Sequence, residues 1–377
     1  MTRYTIVAGD FVRTGGMDVA NLHLAQYLAG AGQDVHLVAH RVDSGLLGIR
    51  GIVWHSVPKP FHSYLLGEPL LAWAGARWGR IGAATGGRLI VNGGNCIGRD
   101  TNWVHFVHAA HQPEVGASTG RRLVDVWAHR RFLAAERRAL HSARLVIANS
   151  NRTADDLVER VGVARERVRT VYYGTDAAYH RPPSMPERAA ARAALGWTDG
   201  RPGVAFVGAL GDRRKGFDVL FRAWEALCRD ETWDAKLLVI GAGRELPAWR
   251  SRAVAAGLGD RIQFLGFTRN VRGVLWGCDA IAAPARYEAY GLAVHEAVCC
   301  GLAAIVHSHA GVAERLHGLE PLQPPRGDDP AALASALRLW RADAALWAQR
   351  TAALSEDLRA WSWNDMAAQI VRLMAAT

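Results

Sequence analysis

Lysine is almost missing from this chain. Lys59, Lys215 and Lys236 stand among 45 basic residues, so positive charge is otherwise spelled as arginine. Lys215 nonetheless occupies the most glycine-punctuated loop, GALGDRRKG, which hints at a place where a compact ammonium is wanted. Cysteine is sparse as well: Cys96, Cys228, Cys278, Cys299 and Cys300 form no CxxC pair and show no metal-ligand spacing. Odd in number and set in apolar surroundings, they read as reduced core thiols, not as a disulfide framework or a zinc module. No run reaches the roughly 18 uncharged apolar residues needed to span a bilayer. The nearest, YLLGEPLLAWAGARWGRIGAA, is broken by Glu68, Pro69, Arg77 and Arg80. The opening MTRYTIVAGD is too short an apolar run for a signal peptide, so a cytoplasmic location is expected.

Three motifs are approached but not met. The loop at 208–216 lacks the GxxxxGK[ST] of a Walker phosphate loop. Gly241-Ala242-Gly243 follows a strand signal, but the third glycine of a dinucleotide fingerprint would be residue 246, which is Leu246. His295-Glu296 would open a zinc-protease helix only with histidine at 299, where Cys299 stands.

What is present is a globular composition, 50% apolar and 21% charged, long enough at 377 residues for two domains with their own cores. The net charge of +10 is lopsided: residues 1–175 hold 21 Arg/Lys against 13 Asp/Glu. Arginine doublets at 121–122, 130–131 and 137–138 recur on one predicted helix. A solvated face explains them; so would an anionic surface or acceptor facing the first half. Net charge is the sole feature pointing to nucleic acid, and no such partner is expected.

Strand and helix signals alternate through both halves. RYTIVAG, DVHLVAH, GRLIVNG, TNWVHFVHA, ARLVIANS and RVRTVYYG are strand candidates in the first half; PGVAFVG, AKLLVIG, DRIQFLG, CDAIAAPA and LAAIVHS are their counterparts in the second. Short continuous apolar runs separated by helical stretches predict parallel strands buried on both faces, hence a doubly wound sheet in each half. GTDAAYHRPPSMPE, with three prolines, is the linker candidate, and Trp361-Ser362-Trp363 opens a last amphipathic helix. Ligands of such sheets sit at the carboxyl ends of the strands, beside a switch point, so two sheets would face one cleft.

The chemistry-bearing residues fall at those ends. Glu288 and Glu296, in EAYGLAVHE, flank Tyr290-Gly291 and the start of a helix. Helical rise sets their carboxylates on the order of 10 Å apart, at or beyond the upper limit for an inverting glycosidase pair. Two hydrogen-bonding tasks on one extended ligand, with an anion on the helix N-terminus, suit that spacing better. Loop 208–216 can turn backbone amides toward phosphate while Arg214 and Lys215 neutralise charge; a plain basic turn is the alternative. Thr14-Gly15-Gly16-Met17 opens the first helix and admits close approach or a simple turn. Of His105, His108 and His111, His108 lies nearest the carboxyl end of its predicted strand. Trp73 and Trp78, beside Leu65, Leu66, Leu70 and Leu71, are candidates for an interfacial patch.

In order and spacing these segments resemble the retaining nucleotide-sugar glycosyltransferases of family 4, whose GT-B fold is α/β, two Rossmann-like doubly wound parallel-sheet domains facing a cleft. VGALGDRRKGFDVLFRA is similar to the family's phosphate loop, and GFTRNVRGVLWGCDAIAAPARYEAYGLAVHEAVCCGLAAIVHSHAGVAE to its donor block. RTGGMDVANLHLAQYLAGAGQDVHLV, RLVIANSNRTADDLV and YYGTDAAYHRP resemble corresponding stretches of the first half. The resemblance implies an acceptor domain over 1–175, a donor domain over 176–360, and a helix at 361–377 packing back on the first. It implies that Glu288 contacts the donor hexose and Glu296 the ribose, and that the amides of Tyr290, Gly291 and Leu292 hold the diphosphate with Arg214 and Lys215. Gly208, Arg213 and Gly241 would border the donor, His108 the transferred sugar, Gly15 and Gly16 the diphosphate and acceptor. It further implies no cofactor, no metal, and a hydroxyl acceptor (a glycan, a lipid-linked or a small molecule); the basic first half and the Trp73/Trp78 patch add the expectation of a lipid-linked acceptor with peripheral contact at the inner membrane face. One departure stands out: Ala209 occupies the place where many members carry arginine, which leaves open whether Arg213 or Arg214 replaces it. A sugar-nucleotide epimerase, a phosphorylase, or a non-catalytic nucleotide-sugar-binding protein on the same fold is the runner-up.

Overall fold

The computed structural model describes residues 1–111 and 119–377, with the side chains of 119–123 also outside the description. The Arg121-Arg122 doublet therefore lies outside the described side chains. The chain divides into two units: residues 1–174 with 362–377, and residues 175–361.

In the first unit the elements run β1 Arg3–Val7, β2 Asp10–Phe11, α1 Gly16–Gly30, β3 Asp34–Ala39, β4 Arg41–Val42, α2 Ser44–Leu47, β5 Ile52–Ser56, α3 Tyr64–Ala83 and β6 Arg88–Asn92. They continue with β7 Thr101–Val104, α4 Thr119–Ser142, β8 Leu145–Ala148, α5 Asn151–Asp156 and β9 Val168–Thr170. Seven strands form a parallel sheet in the order β5-β3-β1-β6-β7-β8-β9, with β2 and β4 paired separately. The strands carry continuous apolar stretches such as TIV, LVIA and LIV because helices cover both faces of the sheet.

The second unit holds α6 Met185–Ala194, β10 Gly203–Val207, α7 Phe217–Leu227, β11 Lys236–Ile240, α8 Leu246–Ala255, β12 Ile262–Gly266 and α9 Val271–Leu275. It closes with β13 Ala280–Ala283, α10 Leu292–Cys299, β14 Ala303–Val306, α11 Pro330–Ala342 and α12 Ala344–Arg359. Its five parallel strands are ordered β12-β11-β10-β13-β14. From β10 the chain winds outward to β12, then returns to lay β13 against the other side of β10. The loops after β10 and β13 thus leave neighbouring strands in opposite directions, the arrangement that opens a crevice at a sheet's carboxyl edge. A single core of Phe206, Phe221, Trp224, Trp340 and the strand aliphatics holds that edge rigid.

The last helix, α13 Trp363–Ala375, returns to the first unit. Ser362 and Asp365 form a reciprocal capping box that starts it. Trp363, Met366, Ile370 and Met374 bury one face, and the Trp363 ring stacks on His23 of α1 at 4.7 Å.

One expectation needs correcting. TNWVHFVHA is strand only through Val104, and a short 3-10 turn follows at His108–Ala110. The cause is Glu136 of α4, whose buried carboxylate accepts the amides of His108 (2.7 Å) and Ala109 (3.1 Å) and pulls the backbone away from the sheet. The division between the two units falls inside the proline-rich linker candidate, between Gly174 and Thr175, and the rest of that segment packs within the second unit: Arg272 donates to the Tyr179 carbonyl (3.3 Å) and Trp276 to that of Arg181 (2.9 Å).

Candidate active site

Glycine, charge and topology converge at the carboxyl edge of the second sheet. After β10, Asp212 accepts the Arg214 amide, and a 3-10 turn at Arg213–Lys215 ends at Gly216. After β13 the chain runs through Glu288 to Gly291, whose φ of 108° lets α10 start abruptly. The two loops are stitched together. The Arg286 amide donates to the Arg214 carbonyl at 2.7 Å, and the Arg286 guanidinium makes two bonds to Asp218 at 2.8 and 2.7 Å. From the other side, the amides of Gly311 and Val312 donate to the carbonyls of Glu288 and Tyr290.

Within that frame Lys215 Nζ donates to Glu288 Oε2 at 2.6 Å, and Arg214 Nη1 lies 4.0 Å from Oε1. The Glu288 side chain keeps 19% of its exposure. Burial opposes its ionisation, but Lys215 and Arg214 prevail and hold the carboxyl below its ordinary range. Arg214 is also fastened by Asp212 at 3.0 Å and by its bond to the Tyr287 carbonyl. Arg213 is exposed and meets the site through its carbonyl, which accepts from Arg286 at 2.6 Å. Between the two arginines that could stand in for the one missing at Ala209, Arg214 is therefore the one beside the carboxylate.

The first amides of α10, beginning at Leu292, have no intrahelical acceptor and carry the positive end of the helix dipole. The Tyr290 phenol turns away into the core, paired with His295 Nδ1 at 2.8 Å, so that residue offers the site its backbone. Gly208 and Gly241 are where the loops after β10 and β11 cross. A Cβ on Gly241, at φ 147°, would fall 1.9 Å from the Gly208 carbonyl oxygen, so close backbone packing accounts for this glycine.

Glu296, one turn into α10, keeps 25% side-chain exposure. Burial pushes its carboxyl up to about 7. Facing it is the imidazole of His180, with Nε2 at 3.7 Å from Oε1.

In the first unit, β1 is flanked by β3 and β6, which makes the loop after β1 the corresponding switch point. Gly15, at φ 96°, caps α1 and Gly16 begins it. His108 stacks on Phe132 at 5.4 Å, and burial, with His129 and His111 nearby, pushes its imidazole down to about 4. His105 is structural: it is buried and shares a hydrogen with the Tyr173 hydroxyl at 2.5 Å.

Reading the sequence missed a charged cluster in this unit. Buried Asp10 takes Arg41 and the Tyr64 hydroxyl on one oxygen, both at 2.6 Å, with Lys59 3.9 Å away and over the Tyr64 ring. Asp18, in the first turn of α1, is pushed up to about 7 by burial and by Asp10. The rarity of lysine was the available signal for Lys59. Among the described residues no group of three His, Cys, Asp or Glu side chains could hold a metal ion. No described helix is long and apolar enough to cross a membrane.

Two family models match in tandem: Glycosyltransferase Family 4 over residues 14–179 and Glycosyl transferases group 1 over 201–343. The chain is a glycosyltransferase, with a Family 4 match in its first half and a group 1 match in its second. Among curated glycosyltransferases, the D-inositol 3-phosphate glycosyltransferase of Saccharomonospora viridis is 33% identical over 54% of this chain and 49% of its own length. That of Xylanimonas cellulosilytica is 26% identical over 96% of this chain and 91% of its own. The chain thus spans about half the length of the first of these curated relatives. The glycosyltransferase fold is shared with WaaG, a lipopolysaccharide glycosyltransferase (TM-score 0.76, 18% identity, 97% of this chain and 99% of that one). It is shared likewise with sucrose-phosphate synthase from Thermosynechococcus elongatus (TM-score 0.77, 21% identity, all of both chains). Anabaena HepE, solved with UDP-glucose, superposes at a TM-score of 0.69 with 17% identity over all of both chains.

Proposed function

We propose that this glycosyltransferase moves a hexose-type sugar from a nucleotide diphosphate sugar to a hydroxyl acceptor, with retention at the anomeric carbon and without a metal ion. The observation that carries the reading is the Lys215–Glu288–Arg214 constellation set beside the N-terminus of α10 at a switch point. Cleavage of the anomeric carbon–oxygen bond leaves negative charge on the diphosphate. Lys215, Arg214 and the α10 amides are preorganised donors for that charge, the role a divalent cation would otherwise fill. Glu288, ionised in this field, accepts from the hexose hydroxyls and keeps Lys215 in place. The acceptor oxygen attacks from the face the diphosphate leaves, and its proton passes to the departing phosphate oxygen. Gly15, Gly16 and His108 serve the diphosphate, acceptor and sugar in this scheme.

The acceptor is lipid-linked in the reading the first unit favours. Phe61 (91% exposed), Leu66, Leu70 and Trp73 (65%) are exposed around α3, with Arg77 and Arg80 on the same helix. Trp78 is not part of that surface, because it turns inward and stacks on His55 at 3.5 Å. An apolar stripe bordered by arginine suits the interface of an anionic membrane. The test of the transfer itself is mass spectrometry of nucleotide release across UDP-, GDP- and ADP-sugars, with Glu288→Ala as control. Release that needs an acceptor, persists in EDTA and vanishes in the variant supports the reading. Conversion of the donor sugar without any acceptor supports an epimerase instead.

A further inference from the structure

His180 lies in the segment that opens the second unit, inside the YYGTDAAYHRP stretch, though nothing in the sequence assigned this residue itself a role. The structure fastens its backbone and its neighbours. Asp176 accepts the amides of Ala178 and Tyr179 at 3.1 Å through its side chain, and that of His180 at 2.8 Å through its carbonyl. Arg272 donates to the Tyr179 carbonyl while its guanidinium lies 4.0 Å over the Tyr179 ring and 4.6 Å over Trp276. Trp276 in turn donates to the Arg181 carbonyl. The imidazole so anchored has 15% exposure, and its Nε2 faces Glu296 Oε1 across 3.7 Å. That gap is slightly too long for a hydrogen bond. Nδ1 is buried and has no partner among the described residues.

We propose that His180 is a positioning residue for Glu296: when donor binds, Nε2–H closes onto Oε1 and turns the carboxylate so that its other lone pairs receive the ribose diol. This rests on the reading of Glu296 as the ribose contact. The chemistry asks for such a partner. A partly buried carboxylate gains from each hydrogen bond beyond the two hydroxyls, and an added N–H lowers the cost of ionising it. His180 can be that donor and nothing more, since burial, with Arg272 adding to it against the opposing Asp176, holds the ring neutral, near 4. A neutral imidazole has one N–H; Nε2 faces Glu296 Oε1, and Nδ1 has no hydrogen-bond partner among the described residues.

The test compares His180→Phe, which keeps a ring and loses the donor, with His180→Gln, whose amide nitrogen reaches the position of Nε2. Steady-state kinetics with the active nucleotide sugar should show donor KM raised about tenfold in His180→Phe, the size of one lost hydrogen bond to a charged group, with kcat little changed. His180→Gln should restore KM to within about threefold of the parent. A packing role predicts the reverse order, with phenylalanine tolerated and glutamine harmful, and that result overturns the proposal. In the double variant His180→Phe/Glu296→Gln, donor KM should be no worse than in Glu296→Gln alone; an additive loss also overturns it. Should Glu296→Gln by itself leave donor KM unchanged, the ribose assignment fails first. A weakened Glu296→Gln beside a silent His180→Phe sinks the positioning role alone.

Discussion

Lys215 and Glu288 lie 73 residues apart in sequence and 2.6 Å apart in space. What joins them is topology: β10 and β13 are neighbours in the sheet although β11 and β12 intervene in the chain. The lysine closes the loop after one and the glutamate follows the other, so a strand-order reversal brings the most conspicuous cation to the first of the two spaced acids. The paired side chains keep 27% and 19% of their exposure and are flanked by Arg214, which makes this a site held in one geometry.

Glu296 supplies a prediction in which stability and binding move oppositely. Its folded carboxyl sits near 7, above the ordinary glutamate value, so the folded state holds a proton that the unfolded chain has released. Stability is therefore lost as pH rises from about 4.5 to 7. Glu296→Gln removes that penalty and should gain about 1–3 kcal/mol at pH 8, read as a higher Tm than the parent. The same variant should lose donor affinity. In the parent, donor binding should strengthen as pH climbs through about 7. A variant less stable at pH 8 than the parent would contradict the burial argument.

Gly241 predicts a cost in stability at a place where no ligand need be involved. Its Cβ would strike the Gly208 carbonyl, and its φ suits no other residue well. Gly241→Ala should cost about 2–4 kcal/mol and loosen loop 208–216 with it. Urea unfolding measures the first, and a rise in donor KM the second. An unchanged midpoint would show that the two loops can separate freely.

The α3 surface predicts binding to anionic vesicles. Flotation at low salt should carry the chain with the lipid, less so in Trp73→Ser/Leu70→Ser, and not at high salt, where the arginines are screened. Absence of co-migration with the parent at low salt removes the membrane from the proposal.

How much of this the sequence showed follows physical lines. Strands buried on both faces announce themselves as apolar runs such as KLLVI and AAIV, so both sheets and their parallel sense were legible. So was the last helix, because Ser362 and Asp365 form a local signal three residues apart. Glu288, Glu296, Arg214 and Lys215 could be singled out from loop chemistry and from the family resemblance. What could not be read were contacts made by distant residues. The Asp10–Arg41–Tyr64 cluster draws on three separate elements. The shortened β7 depends on Glu136, from a helix that follows it in the chain. That the Arg214 guanidinium lies beside Glu288 depends on its bonds to Asp212 and the Tyr287 carbonyl, a matter of turn geometry that adjacent identical residues cannot reveal.

The diphosphate seat is tested most directly by titrating UDP, GDP and ADP, and the corresponding nucleosides, into the parent, Lys215→Ala and Arg214→Ala. If the phosphates lie between these cations and the α10 amides, the preferred nucleoside diphosphate should lose about 10–100-fold in affinity in Lys215→Ala. Binding of the nucleoside itself should hardly change. Equal diphosphate affinity in parent and variants, with both variants folded, would place the phosphates elsewhere and contradict the mechanism.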